Sequence, residues 1–196
     1  LEHFDLEATE VDIPQILDGS KLPFLEELTL SGSDLTWRLD EKLYRLEVEN
    51  FNFDRVNQTA NIENVELIPV LPEYEFSKIK GYSTDRIELK INDIQLEEVI
   101  LDSLYIPRIE VGKINIDDGF LYVFKNKTIP SKSTIGYRSL LSEISRNTGF
   151  QLGVDVIDIN GLKVTYTEHK DGAEDAGTIF FEDITGNIRN LNTKGF

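Results

Sequence analysis

The side chains able to do chemistry are few in kind and scattered along the chain. Histidine occurs twice, at His3 and His169, and cysteine not at all. Thiolate nucleophiles, disulfides and thiolate metal sites are thereby excluded, and two isolated imidazoles are too few for a zinc site. Neither histidine sits in a catalytic motif, and both read as solvent-exposed loop residues. There is no Gly-x-Ser-x-Gly elbow, phosphate-binding loop or dinucleotide glycine fingerprint, and the strand–helix alternation those motifs need is missing. Carboxylates are plentiful. Glu47, Glu49, Glu88, Glu110, Asp155 and Asp158 fall on the polar side of alternating segments, where acids keep a face solvated and discourage edge pairing. Asp117-Asp118 and the cluster from Asp171 to Asp175 offer oxygen ligands for Ca²⁺, but neither follows the EF-hand loop, and turn chemistry accounts for both. The expectation is a protein that is not an enzyme and carries neither cofactor nor metal.

The bulk composition narrows the partners. The 196 residues include 36 acidic and 20 basic side chains, a formal net charge of −16. A phosphate backbone needs clustered cations, so no nucleic acid is expected, and no polybasic contact with a membrane surface either. With 40% hydrophobic residues the chain can build a core. Its longest apolar run, Phe120 to Phe124, is far short of the roughly 20 residues that span a bilayer. The chain opens on Leu1 without a leader pattern, so any membrane anchor is expected outside this segment.

The elements that position these residues read as strands. Alanine, the best helix former, occurs only four times and Met never. Apolar residues alternate with polar ones almost throughout: Leu28 and Leu30; Leu35, Trp37 and Leu39; Leu46 and Val48; Phe51 and Phe53; Ile87, Leu89 and Ile91; Ile157 and Ile159; Leu162, Val164 and Tyr166. Period two marks strands with one dry and one wet face, the pattern of antiparallel sheets. At Glu63-Asn64 the alternation slips by one residue, the mark of a bulge. Two short helices are expected, a turn at Ile13 to Leu17 and a helix at Ser139 to Arg146. Leu67 to Pro72, Ile129 to Thr134 and Lys170 to Gly177 read as loops. The predicted fold is mainly β: an extended, curled antiparallel sheet of repeated amphipathic strands with one or two short helices. It forms a single segment over 1–196, with sub-units at 1–80 and 81–196.

Three segments repeat one form, centred on Gly32, Gly119 and Gly161, with two alternating apolar residues before the glycine region and a second alternating strand after it. Three residues beyond each glycine stand Leu35, Tyr122 and Val164, and five beyond stand Trp37, Phe124 and Tyr166. These six are the candidate lining of an apolar groove, and equally candidates for ordinary core. Phe120-Leu-Tyr-Val-Phe124 is bulky on both faces, as in a strand covered on both sides.

From Gly81 onward the order of motifs is distinctive: Gly81-Tyr-Ser-Thr-Asp-Arg86, Phe124-Lys-Asn-Lys-Thr-Ile-Pro130, Val164-Thr-Tyr-Thr-Glu168, and Gly177-Thr-Ile-Phe-Phe-Glu-Asp-Ile-Thr-Gly-Asn-Ile-Arg-Asn-Leu191. This succession, to about Asn192, resembles the AsmA-like proteins of Bacteroidetes-type bacteria. The resemblance implies a periplasmic β-rich body anchored in the inner membrane by a helix outside this segment. It also implies a part in outer-membrane biogenesis, with phospholipid or another acyl lipid carried in an apolar β groove. It carries no catalytic residues. The alternative reading is a structural or protein-binding envelope scaffold that contacts other envelope proteins.

Overall fold

In a computed structural model the described residues are 3–9, 27–40, 43–101, 108–131 and 151–192. They form one open sheet of eight strands in sequence order. The strands are β1 (His3–Thr9), β2 (Glu27–Asp40), β3 (Tyr44–Asp54), β4 (Thr59–Pro69), β5 (Asp85–Leu101), β6 (Arg108–Lys127), β7 (Gln151–Lys170) and β8 (Gly177–Asn192), with one helix, α1 (Glu73–Lys80). The mainly β expectation holds. The expectation of a purely antiparallel sheet is corrected at one place, because β6 and β7 run parallel. Alternation reports which face is dry and is silent on the direction of the neighbour. The chain between Lys127 and Gln151 is long enough for the crossover of a dozen or more residues that a parallel pair needs. The helices expected at Ile13 to Leu17 and Ser139 to Arg146 lie outside the described residues. The sheet runs unbroken past residue 80, since β4 and β5 are paired through Leu67 and Leu89.

Cross-strand register gathers the apolar residues on one face. Leu30, Phe53, Ala60, Leu96, Ile114, Ile157 and Ile188 form one row across β2 to β8. Trp37, Leu46, Leu67, Leu89, Leu121, Val164 and Phe181 form another nearer the far end. The two rows stand on one face, although their residue numbers differ in parity along every strand. The change happens at a seam that the pairing steps over, at Asp34, Glu49, Asn64, Asn92, Asp118 and Gly161. Four of these have a left-handed backbone: Asp34 (φ 52°), Asn64 (49°), Asp118 (53°) and Gly161 (68°). Each strand thus spends one extra residue at the same level. The short polar side chains of Asp and Asn tolerate this conformation better than other non-glycine residues do. A second seam crosses the longer strands at Glu98, Gly112, Asp155 and Asn190, with Glu98 and Asn190 left-handed. Such extra residues bend a strand and increase its twist, the local source of the sheet's curl.

The opposite face is polar and paired. Lys90 binds Glu66 at 2.6 Å and Lys113 binds Asp158 at 3.2 Å, while Asn115 and Asn160 donate to Glu97 and Asp117 on neighbouring strands. Exposed pairs of this kind contribute little stability each; their effect is to keep that face wet.

The loop expected at Leu67 to Pro72 is strand as far as Pro69, and the helix α1 that follows it is not among the expected elements. Eight residues are too few to hold a helix alone. Glu73 and Glu75 lie in its first turn and Lys78 and Lys80 in its last, the favourable charge order. Gly81, with φ 77°, closes it by donating its N–H to Ser77. Phe76 holds it down, fully buried with Leu43, Tyr44 and Leu67 and meeting the Tyr44 ring edge-on at 5.3 Å. At the other end of the face Leu28, Phe53, Val99, Val111, Val154 and Ile157 form a second buried cluster.

The seam makes a prediction. Asn64→Val places a β-branched residue in the left-handed region and should cost about 1–2 kcal/mol. Asn64→Gly, free of that strain, should stay within about 1 kcal/mol of the parent. Urea unfolding midpoints compare them, and equal losses would remove the conformational explanation.

Candidate functional site

The six candidate lining residues divide between the two faces. Leu35, Trp37, Val164 and Tyr166 stand on the apolar face: Leu35 pairs with Val48, Trp37 with Leu46, Val164 with Leu121 and Tyr166 with Val123. Tyr122 and Phe124 stand on the other face, paired with Glu88 and Arg86. The division follows from the seam. Apolar-face residues lie one, three or five places past the left-handed residue, which is Asp34 in β2, Asp118 in β6 and Gly161 in β7. Gly161 is itself the seam residue, Gly32 lies two places before it, and Gly119 lies one place after it. Counting from Gly119 therefore lands on the wrong parity, and the β6 residues that match are Leu121 and Val123. With Leu46, Leu67 and Leu89 they fill the floor between β2 and β7, and the glycine-based count did not find them. The Asp/Asn slip in each strand was the signal that would have.

On the other face, Tyr122 and Phe124 are held by α1. Phe124 is 1% exposed, with the Tyr74 ring edge-on at 5.1 Å. The Tyr122 hydroxyl donates to Glu73. Burial, and then the Glu73 carboxylate, raise the Tyr122 phenol above its ordinary value. Tyr74 continues to His169, whose Nδ1 lies 2.9 Å from the phenol oxygen. His169 Nε2 lies 3.0 Å from the Ala173 carbonyl, which can only accept. The imidazole therefore carries a proton on Nε2, and Nδ1 shares a hydrogen bond with the Tyr74 hydroxyl. That histidine is a structural strut between α1 and the β7–β8 turn. The covered-strand reading of Phe120 to Phe124 is met by this helix for Tyr122 and Phe124.

The apolar floor stops at a charged row. Beyond Ile87, Val123 and Tyr166 come Asp85, Lys125 and Glu168. Lys125 binds Asp85 at 2.9 Å and Lys127 binds Glu168 at 2.7 Å. The Tyr166 hydroxyl also donates to Glu168, and these two hydrogen bonds, Lys127 first, hold that carboxyl below the ordinary glutamate range. A cavity of about 490 Å³ opens beside this row, lined by Tyr166, Glu168, Lys170, Ala173, Thr178 and Ile179. On the polar face a smaller one of about 290 Å³ lies over the seam between Lys90, Phe120 and Lys163.

At its margins the apolar face meets solvent. Trp37 is 43% exposed where β2 continues past the end of β1, and Ile179, Phe181 and Ile188 are 48–59% exposed on β8. Between these rims Leu35, Val48, Leu67 and Ile91 are buried. Among the described residues no three His, Asp or Glu side chains gather around one metal-sized point. Asp118 serves as a seam residue, and Asp117 accepts from Asn160. What the arrangement offers is an extended apolar surface with a polar sill at one end. No family model, curated protein or solved structure matches the chain.

The sill makes a prediction for Glu168. A depressed carboxyl adds stability above its ordinary range, and that contribution disappears as pH falls through the folded value. Lys127→Ala removes the larger cause, so the Glu168 carboxyl should titrate nearer 4.5. Carboxyl-detected NMR titration reads this, and an unmoved midpoint would assign the depression elsewhere.

Proposed function

We propose that this chain is a non-catalytic, AsmA-like envelope segment that shelters the acyl chains of a phospholipid on its apolar sheet face. The observation that carries the reading is the continuous apolar face across β2 to β8, with exposed rims at Trp37 and on β8. Each CH₂ moved from water to such a surface is worth about 0.8 kcal/mol. A lipid passing from a bilayer to this face exchanges one apolar surface for another and does not cross water. The order of motifs from Gly81 to Asn192 supports a periplasmic location, an inner-membrane anchor outside this segment and a part in outer-membrane biogenesis. A structural or protein-binding scaffold is the second reading, favoured by the exposed β8 edge.

The test uses two residues of similar exposure on opposite faces. Trp37 (43% exposed) is on the apolar face and Phe120 (38%) on the polar one. Trp37 is also the chain's only tryptophan. Phospholipid is expected to co-purify in native mass spectra, and added phospholipid to shift the Trp37 emission to the blue. Trp37→Glu should remove most of the bound lipid and Phe120→Glu should keep it. A lipid-free parent with no uptake from vesicles would favour the scaffold, and equal loss in both variants would sever lipid binding from the apolar face.

A further inference from the structure

β8 is the last strand of the sheet, and among the described residues no further strand pairs with its outer edge. It is long, from Gly177 to Asn192, and Ile179, Phe180, Phe181 and Ile188 are 48–70% exposed. An edge of this length and apolarity is a template for another strand. Its sequence indicates which strand. Around Gly186 it reads Phe181-Glu-Asp-Ile-Thr-Gly186-Asn-Ile-Arg-Asn-Leu191. Through their β7 partners, Phe181, Ile184, Gly186, Ile188 and Leu191 all stand on the apolar face. Their spacing of three, two, two and three residues is symmetric about Gly186.

We infer that β8 is a self-pairing edge that joins two copies of this chain antiparallel about Gly186. In that register Gly186 meets Gly186, Ile184 meets Ile188 of the second copy, and Phe181 meets Leu191. The two-residue steps at Glu182-Asp183 and Arg189-Asn190, each holding one left-handed residue, fall opposite one another, so both copies keep their apolar residues on the same side. Asp183 then faces Arg189 of the second copy, twice per dimer. Parallel pairing of the same strands sets Asp183 against Asp183 and Arg189 against Arg189, and like charges directly opposite are unfavourable. The twofold arrangement is closed and ends at two copies, whereas addition of β8 to some other edge of the chain would propagate. It extends the sheet from eight strands to sixteen. The proposal does not depend on what that face binds. With −16 on each copy, association should strengthen with added salt.

The chain has no cysteine, and a Cβ added at Gly186 meets nothing within 4 Å. Under mild oxidation Gly186→Cys should cross-link into a disulfide dimer, because the two residues face each other at the twofold. Phe180→Cys, at a position 70% exposed, should not cross-link, since its two copies are roughly 40 Å apart along the paired strands. Sedimentation velocity of the parent chain should give twice the monomer mass at tens of micromolar. Arg189→Glu should weaken the dimer by about tenfold or more, and Arg189→Lys should keep it, with both circular dichroism spectra unchanged. A parent chain that stays monomeric at about 100 µM would overturn the inference. So would equal cross-linking at positions 186 and 180.

Discussion

In a sheet one residue deep, facing is all or nothing: a strand that slips by one place turns every side chain to the other side. Strands as long as β5 to β8 each break their alternation. The breaks are tolerable only because they align. Asp34, Asn64, Asp118 and Gly161 take their left-handed turns at one level, and the strands between them step over the same level at Glu49 and Asn92. A single misplaced extra residue would set apolar against polar across a ladder. Asp, Asn and Gly at the left-handed points of this seam ease that turn sterically, with a consequence for the whole face.

The two faces then follow separate rules. The apolar face is buried along its floor and open at its rims, and it ends in the paired charges of Asp85, Lys125 and Glu168. The polar face is a network of weak ion pairs and hydrogen bonds from asparagine amides, interrupted where α1 settles on Tyr122 and Phe124. That helix reaches residues of both facings. Phe76 packs with Leu67 and Tyr44, while Tyr74 packs on Phe124 and His169. It lies across the ends of β5 and β6, at the limit of the apolar floor. The titratable groups gathered there, Glu73, His169 and Glu168, are engaged in struts between elements.

Much of this was legible in the residues. Alternation marked the strands, and the slip at Glu63-Asn64 marked one point of the seam. The placement of Leu35, Trp37, Val164 and Tyr166 followed from the repeat. Counting from glycine puts Tyr122 and Phe124 on the wrong face, because the geometric event that recurs along the sheet is the left-handed residue, which in β6 is Asp118. The parallel β6–β7 pair left no trace, since side-chain periodicity does not encode strand direction. The helix α1 was hidden by its length. Eight residues with one buried aromatic give no periodic signal, and its stability comes from the contact of Phe76 with distant strands.

The most direct measurement is paramagnetic broadening of the isoleucine methyl signals by a phospholipid spin-labelled in its acyl chain. Ile62, Ile94, Ile116 and Ile159 form one row on the apolar face, and Ile68 stands on the other. If the apolar face shelters lipid, the four row signals broaden and Ile68 stays sharp. Equal broadening on both faces, or none at a lipid excess, would contradict a lipid-sheltering face.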